Sequence, residues 1–404
     1  MKEYAFLKEA KERTPYTNFS PEEYARRYRR IREMMEQERL DCLVVYATGK
    51  EMQQKNPRYL SGWADGLHQY VVFPREGEPT LFGAISPHLL CAKLHSHLSD
   101  VRWAADDAQG VCDRLSELGC AEGRIGLVGR DQRTFPSLPF DHFERMKKSL
   151  PRAQWHFVTP QYERVRAIKS EEEISYYKKG AEVTDRCMQA LVDAVKVGAA
   201  EYELYAELTA ESWRNNAFPI FSLLGSTPMS DPTMPYPWRT PSARRIQKGD
   251  IILNELSMSY GSCSGQLMRP IAVGQPTKDY RKLYDLAKEV FEKVAEVLRP
   301  GCTKQQVLEA AAIIPEQGYT IEAPVIHGWD DKSEYPHWGI PGRDVSANIS
   351  REDYPIQENQ LIVIEPNPCT KDFRAGMFLG DLGIVRRDGW HSLHKFPLEF
   401  VVVD

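Results

Sequence analysis

Several absences narrow this chain before any motif is considered. No apolar stretch is long enough to cross a bilayer, so no membrane-embedded role is expected. The start, Met1-Lys2-Glu3-Tyr4-Ala5-Phe6, has neither the apolar core nor the cleavage pattern of a signal peptide, and a cytoplasmic protein is expected. Positive charge is not in excess. The formal net charge is -5, which gives no footprint for a nucleic-acid partner. The eight cysteines, at 42, 91, 112, 120, 187, 263, 302 and 369, include no CxxC pair. Several lie inside apolar runs, as Cys42 does in Cys42-Leu43-Val44-Val45-Tyr46, so free buried thiols in a reducing compartment are expected. If one thiol is catalytic, Cys263 and Cys369 stand nearest the site proposed below. There is no short-period repeat, no low-complexity tract, and no histidine between His156 and His327.

What is present is ordinary for a globular protein. The 404 residues are 42% hydrophobic and 27% charged, enough for two domains or one large one with a sizeable core. Ser20-Pro21-Glu22-Glu23 reads as a helix start, with Ser20 as cap, Pro21 at the first helical position and Glu23 closing a capping box. Tyr24, Tyr28, Ile31 and Met35 continue it at helical spacing. Strands are expected at 42–47, 70–74, 79–82 and 124–128, with a helix at 109–118. Alternation of this kind predicts a small α/β domain over residues 1–160. A linker near 151–160 leads to a long helix capped by Ser170-Glu171-Glu172-Glu173. Beyond it, strands near 251–256, 273, 361–364, 383–385 and 400–403 frame helices at 280–298 and 304–312. That segregation predicts an α+β domain with an antiparallel sheet over 161–404.

Two segments carry most of the chemistry: Val325-Ile326-His327-Gly328 and Val363-Ile364-Glu365-Pro366. Each ends an apolar run with an ionisable side chain, so both groups are expected to project from buried strands into a polar cleft. Together they can act as a general acid–base pair, the carboxylate setting the tautomer of a ring that titrates near neutrality.

Four further segments give the chain a family likeness. Asn56-Pro57-Arg58-Tyr59-Leu60-Ser61-Gly62, Arg166-Ala167-Ile168-Lys169-Ser170-Glu171, Lys248-Gly249-Asp250-Ile251-Ile252 and Ile364-Glu365-Pro366 follow in order over nearly the whole length. In this the chain resembles the creatinase/aminopeptidase P family, whose catalytic half is the pita-bread fold. The resemblance implies an α/β N-terminal domain and an α+β pita-bread catalytic domain. It also implies a homodimer in which the N-domain of one subunit covers the other's site. Trp63, Asp65 and His68 would be the residues reaching across.

Dinuclear members of that family hold two ions with two aspartates, a histidine and two glutamates, a set suited to hard divalent cations. Carried over position by position, these fall here at Glu255, Gln266, His327, Glu365 and Gly380. Arg269 keeps the family's arginine and supports the register. Gln266 brings no charge and Gly380 no side chain, although Asp381 follows. The family's shuttle histidine falls at Trp238. A peptidase-type "H-E-x-P" segment is met by Glu334 and Pro336, but Ser333 stands for the histidine, with His337 as a replacement donor.

The expectation is therefore a hydrolase with His327, Glu365 and Glu255 as catalytic residues and no cofactor. It would cleave a C–N bond in a small non-peptide substrate, creatine-like or a cyclic amide or amidine. Trp238, Trp329, Glu334, His337, Arg269, Trp63 and His68 are expected to bind that substrate, aromatic faces and carboxylates suiting a compact cation. An Xaa-Pro peptidase is not expected. One alternative is a metal-dependent hydrolase or lyase with a single ion, such as Mn, Zn or Fe, on Glu255, His327 and Glu365. Another is a small-molecule-binding protein that has lost its chemistry.

Overall fold

The computed structural model describes residues 6–14, 16–49, 55–129, 137–321, 324–329, 336–340 and 354–404. These residues form two compact units, divided between Arg166 and Ala167.

The first unit is an α/β layer structure. Helices α1 (Leu7–Arg13) and α2 (Pro21–Gln37) lead into β1 (Cys42–Ala47), α3 (Lys55–Ser61), β2 (Gln69–Pro74) and β3 (Thr80–Gly83). Then come α4 (Leu89–His95), β4 (Asp100–Arg102), α5 (Asp107–Glu117), β5 (Arg124–Val128), α6 (Phe140–Ser149), β6 (Gln154–Phe157) and α7 (Thr159–Ala167). The sheet order is β4-β3-β2-β1-β5-β6. β1 is buried throughout because both of its faces are covered. Leu43 and Val45 pack with Tyr24, Tyr28, Ile31 and Met35 of α2. Cys42, Val44 and Tyr46 pack with Val111, Cys112 and Leu115 of α5. A continuous apolar run is what a doubly covered strand requires. α2 starts as its sequence dictates, with the Ser20 hydroxyl accepting from the Glu23 N–H at 3.1 Å.

The second unit opens with α8 (Glu171–Ala194) and α9 (Glu201–Arg214). Next are β7 (Phe218–Pro228), β8 (Asp250–Tyr260), β9 (Cys263–Ser264), β10 (Leu267–Met268) and β11 (Ile271–Val273). Helices α10 (Lys278–Val297), α11 (Lys304–Ala311) and α12 (Ile313–Glu316) precede β12 (Ile326–Gly328), β13 (His337–Trp338) and β14 (Leu361–Ile364). β15 (Gly380–Arg386), β16 (Gly389–Ser392) and β17 (Val401–Val403) complete it. The capping box of α8 is formed in both directions, at 3.0 Å and 2.9 Å between Ser170 and Glu173.

The sheet runs β13-β12-β14-β15-β10-β8-β11-β17 and is antiparallel except for the β11–β17 pair. One face carries Leu256 and Leu267 against Val183, Cys187 and Met188 of α8. Further along, the same face carries Ile326 and Ile364 against Val290 and Val294 of α10 and Val307 of α11. The helices thus cover one side of the sheet, and the other side is left for the site. Among the described residues no helix is long and apolar enough to cross a membrane.

Candidate active site

The register decides which side chains meet. Leu267 lies opposite Leu256 on one side and Asp381 on the other. Asp381 lies opposite Ile364, and Ile364 opposite Ile326. Side chains alternate along a strand. One residue away from this row, Glu255, Gln266, Gly380, Glu365 and His327 therefore share the face turned from the helices. The ladder continues through the two residues just outside strands, since the Glu365 N–H donates to Val325 O at 2.9 Å and the Leu382 N–H to Gln266 O at 3.0 Å. His327 and Glu365, expected to meet, do so: Nε2 stands 3.3 Å from Oε1, with both side chains 6% exposed.

The His327 ring is fixed from its other side. Nδ1 lies 2.8 Å from the carbonyl oxygen of Gly328, which can only accept, so Nδ1 carries the hydrogen. Proton exchange is left to Nε2, the atom beside Glu365. His337 lies directly across the strand pair, its ring 6.3 Å from that of His327. Trp329 is held by a 2.7 Å hydrogen bond from Nε1 to Ser264 O, with its ring 5.9 Å from His327. Trp338 alternates to the helix-covered face and is core.

Glu255 is half-buried, and its Oε1 accepts from Gln266 Nε2 at 2.7 Å. The Gln266 Oε1 is buried and has no hydrogen-bond partner among the described residues. Gly380 is required by space. A Cβ there would stand 2.5 Å from Ile364 O, 3.1 Å from Glu365 Cβ and 3.2 Å from Met268 Sδ. Met268 thus fills the ground beside Glu365 on this face.

Asp381 lies on the opposite face. Its Oδ1 is 2.7 Å from Arg269 Nη2, an ionic contact without good hydrogen-bond alignment, and its Oδ2 accepts from Ser392 Oγ at 2.8 Å. Arg269, expected to bind substrate, does not face the site. It is fully buried and donates to the carbonyls of Pro397, Phe396, Met268 and Gly380 at 2.5–3.0 Å. It clamps two chain segments with four of its five N–H donors, and Nη2 also lies against Asp381.

The other expected binding residues are dispersed. Trp238 is 46% exposed, and its indole flanks Gly225 of β7. Glu334 lies outside the described residues. Trp63 and His68 belong to the first unit, where His68 Nε2 pairs with Asp107 Oδ2 at 2.6 Å. That hydrogen bond raises the His68 pKa above its ordinary value. Cys263 and Cys369 are buried, and the Tyr236 hydroxyl lies 3.6 Å from Cys369 Sγ.

One residue of the site escaped the sequence reading. Asn367 is fully buried, sits at a positive φ of 35°, and places Nδ2 3.3 Å from Glu365 Oε2. Asparagine just after Glu-Pro, where the chain must turn, was the available signal.

Residues 175–394 match the family model described as Metallopeptidase family M24, and residues 27–168 match the Creatinase/Prolidase N-terminal domain. An Xaa-Pro dipeptidase of Pyrococcus horikoshii is 25% identical over 276 residues, which is 66% of this chain and 73% of that one. The crystal structure of the prolidase from Pyrococcus horikoshii superposes with a TM-score of 0.76 at 22% identity, over 93% of this chain and 100% of that one. An X-Pro aminopeptidase from Thermotoga maritima gives a TM-score of 0.79 at 18% identity, over 93% and 99%. At that identity the two structures establish the fold, a creatinase-type N-terminal domain followed by a pita-bread domain. These findings overturn three expectations drawn from the sequence. The relatives are named as peptidases, against a non-peptide C–N substrate and against the exclusion of Xaa-Pro peptidases. The family is one of metallopeptidases, against the expectation of no cofactor.

Proposed function

Since the chain belongs to Metallopeptidase family M24, we propose that it is a peptidase hydrolysing short peptides at the face that carries Glu255, His327 and Glu365. Xaa-Pro dipeptides are the first substrate class, because relatives bear that name. The observation that carries the reading is the buried His327–Glu365 pair on the sheet face left uncovered by helices.

A metal is what the family implies, and the donor set tests the fit. Two ions about 3.5–4 Å apart need bridging anions. At the two positions where the resemblance places further carboxylates stand a neutral amide, Gln266, and Gly380, which has no room for a side chain. Among the described residues no three His, Cys, Asp or Glu side chains are placed to hold an ion. These residues do not fit a pair of ions, and no step below runs through one.

The chain's own groups supply proton chemistry. The Glu255 carboxylate accepts a proton from the attacking water. His327, with Nδ1–H committed to Gly328 O, delivers a proton from Nε2 to the departing peptide nitrogen. Glu365 steadies the imidazolium while Nε2 is protonated. Trp329 gives the substrate an apolar wall.

The test is a panel of Xaa-Pro dipeptides, other dipeptides and creatine-like amidines, with released products identified by mass spectrometry. Release of amino acids from dipeptides is expected. Turnover confined to amidines contradicts the reading. A cytoplasmic homodimer, with Trp63 and His68 presented to the partner's site, belongs to the same proposal. Light scattering at twice the 46.3 kDa chain mass is expected, and a monomer at working concentration contradicts it.

A further inference from the structure

Both carboxylates of the site are held by carboxamides. Gln266 Nε2 donates to Glu255 Oε1 at 2.7 Å. Asn367 Nδ2 donates to Glu365 Oε2 at 3.3 Å and lies 3.9 Å from Met268 Sδ. The other end of the Asn367 amide is fixed in turn, since Oδ1 accepts from the Leu379 N–H at 3.2 Å, next to Gly380. Both amides are buried, at 1% and 0% exposure, so neither swings freely. A donor pinned at its far end fixes the carboxylate it touches, and here it fixes Glu365 with its second oxygen toward His327.

Neutral donors also do something that cations cannot. An arginine or lysine in these places would cancel the carboxylate charge. A carboxamide orients it and leaves the charge in place. Asp381, on the opposite face, is paired with Arg269 instead.

We propose that Asn367 and Gln266 are positioning residues, which hold Glu365 against His327 Nε2 and hold Glu255 on the same sheet face without neutralising either. The inference rests on the peptidase reading for its effect on turnover, but not for its effect on the His327 ring. Asn367 suits the task for a backbone reason as well, because its positive φ favours Asn, Asp or Gly. Two variants can therefore be made without backbone strain. Asn367→Gly removes the amide. Asn367→Asp keeps an acceptor for the Leu379 N–H and replaces the donor toward Glu365 by a second carboxyl group, so it combines loss of the donor with an added like charge.

The experiment measures peptide turnover and the ring nitrogen NMR shifts of His327 in wild type, Asn367→Gly, Asn367→Asp, Gln266→Met and Glu365→Gln. Misplacing a reacting group by about 1 Å costs about 100-fold. Both Asn367 variants are expected to lose turnover on that scale in kcat, with KM little changed, and to move the His327 ring signals, measured at a temperature where each variant is shown to be folded because the change also costs some stability. Gln266→Met is expected to lower kcat likewise without moving those signals. Wild-type kcat and unmoved ring signals in both Asn367 variants overturn the proposal. If Glu365→Gln keeps full turnover, the peptidase assignment to this face fails instead, and the ring signals still decide whether Asn367 positions Glu365.

Discussion

Replacing His327 by glutamine is expected to lower kcat for peptide hydrolysis by about 100- to 10,000-fold, the usual range for loss of a positioned proton donor. Glutamine is the informative choice. Its amide approximates the ring's volume and can donate to the Gly328 carbonyl that now holds Nδ1 at 2.8 Å. It cannot exchange a proton at the place of Nε2, 3.3 Å from Glu365. The loss should therefore fall on kcat, with KM changed little, because the interaction removed operates in the transition state. Steady-state kinetics beside thermal melting separates this from a folding defect. A variant that melts like wild type and turns over like wild type removes His327 from the mechanism.

Asp381→Asn is expected to act in the opposite way, on stability and not on chemistry. Asp381 sits on the helix-covered side of the sheet, 2.7 Å from a guanidinium that is completely buried. Removing one partner of a buried ion pair leaves an uncompensated charge and costs about 3–5 kcal/mol. The denaturation midpoint should fall accordingly, while kcat below the transition stays within a few-fold of wild type. Adding Arg269→Met should restore only part of the loss. Arg269 also satisfies the carbonyls of Met268, Gly380, Phe396 and Pro397, which methionine leaves unpaired. If Asp381→Asn instead abolishes turnover in a chain of unchanged stability, the face assignment for Asp381 is wrong.

The contrast between these two residues marks where sequence reading reaches its limit. His327 and Glu365 were legible because each ends a short apolar run, and the strand containing His327 and the strand that Glu365 follows are both buried as expected. β1 was legible for the same reason, since every residue from Cys42 to Ala47 is covered. The cap at Ser170 needs only local chemistry, and it formed as read. Asp381 and Arg269 could not be resolved that way. Which face a side chain takes depends on register with three other strands, and the Arg269 clamp closes on Phe396 and Pro397, some 127 residues along the chain. Local pattern contains neither fact.

β7 and α9 were missed for a different cause. Among the described residues β7 pairs only with β8; it is half-buried over its first residues and carries Pro219 at a bulge in the register, so it lacks the unbroken run that marks an inner strand. α9 has no side-chain hydroxyl at its start. Ala200 stands at the cap, and Glu203 reaches back to the Ala200 N–H at 2.8 Å. Gln266, Gly380 and Trp238 depart from the family pattern without marking a new substrate class. Gln266 donates to Glu255, Gly380 has no room for a side chain, Trp238 flanks Gly225, and the relatives carry peptidase names.

The most direct test of the account is the rate of dipeptide hydrolysis by Glu365→Gln beside the wild type, with both proteins shown to be folded. Glutamine keeps the volume and a hydrogen bond to its neighbours but cannot hold the charge that faces His327. The account predicts measurable release of free amino acids by the wild type and a fall of at least about 100-fold in the variant. Equal rates in the two proteins, or no dipeptide cleavage by the wild type, would contradict it.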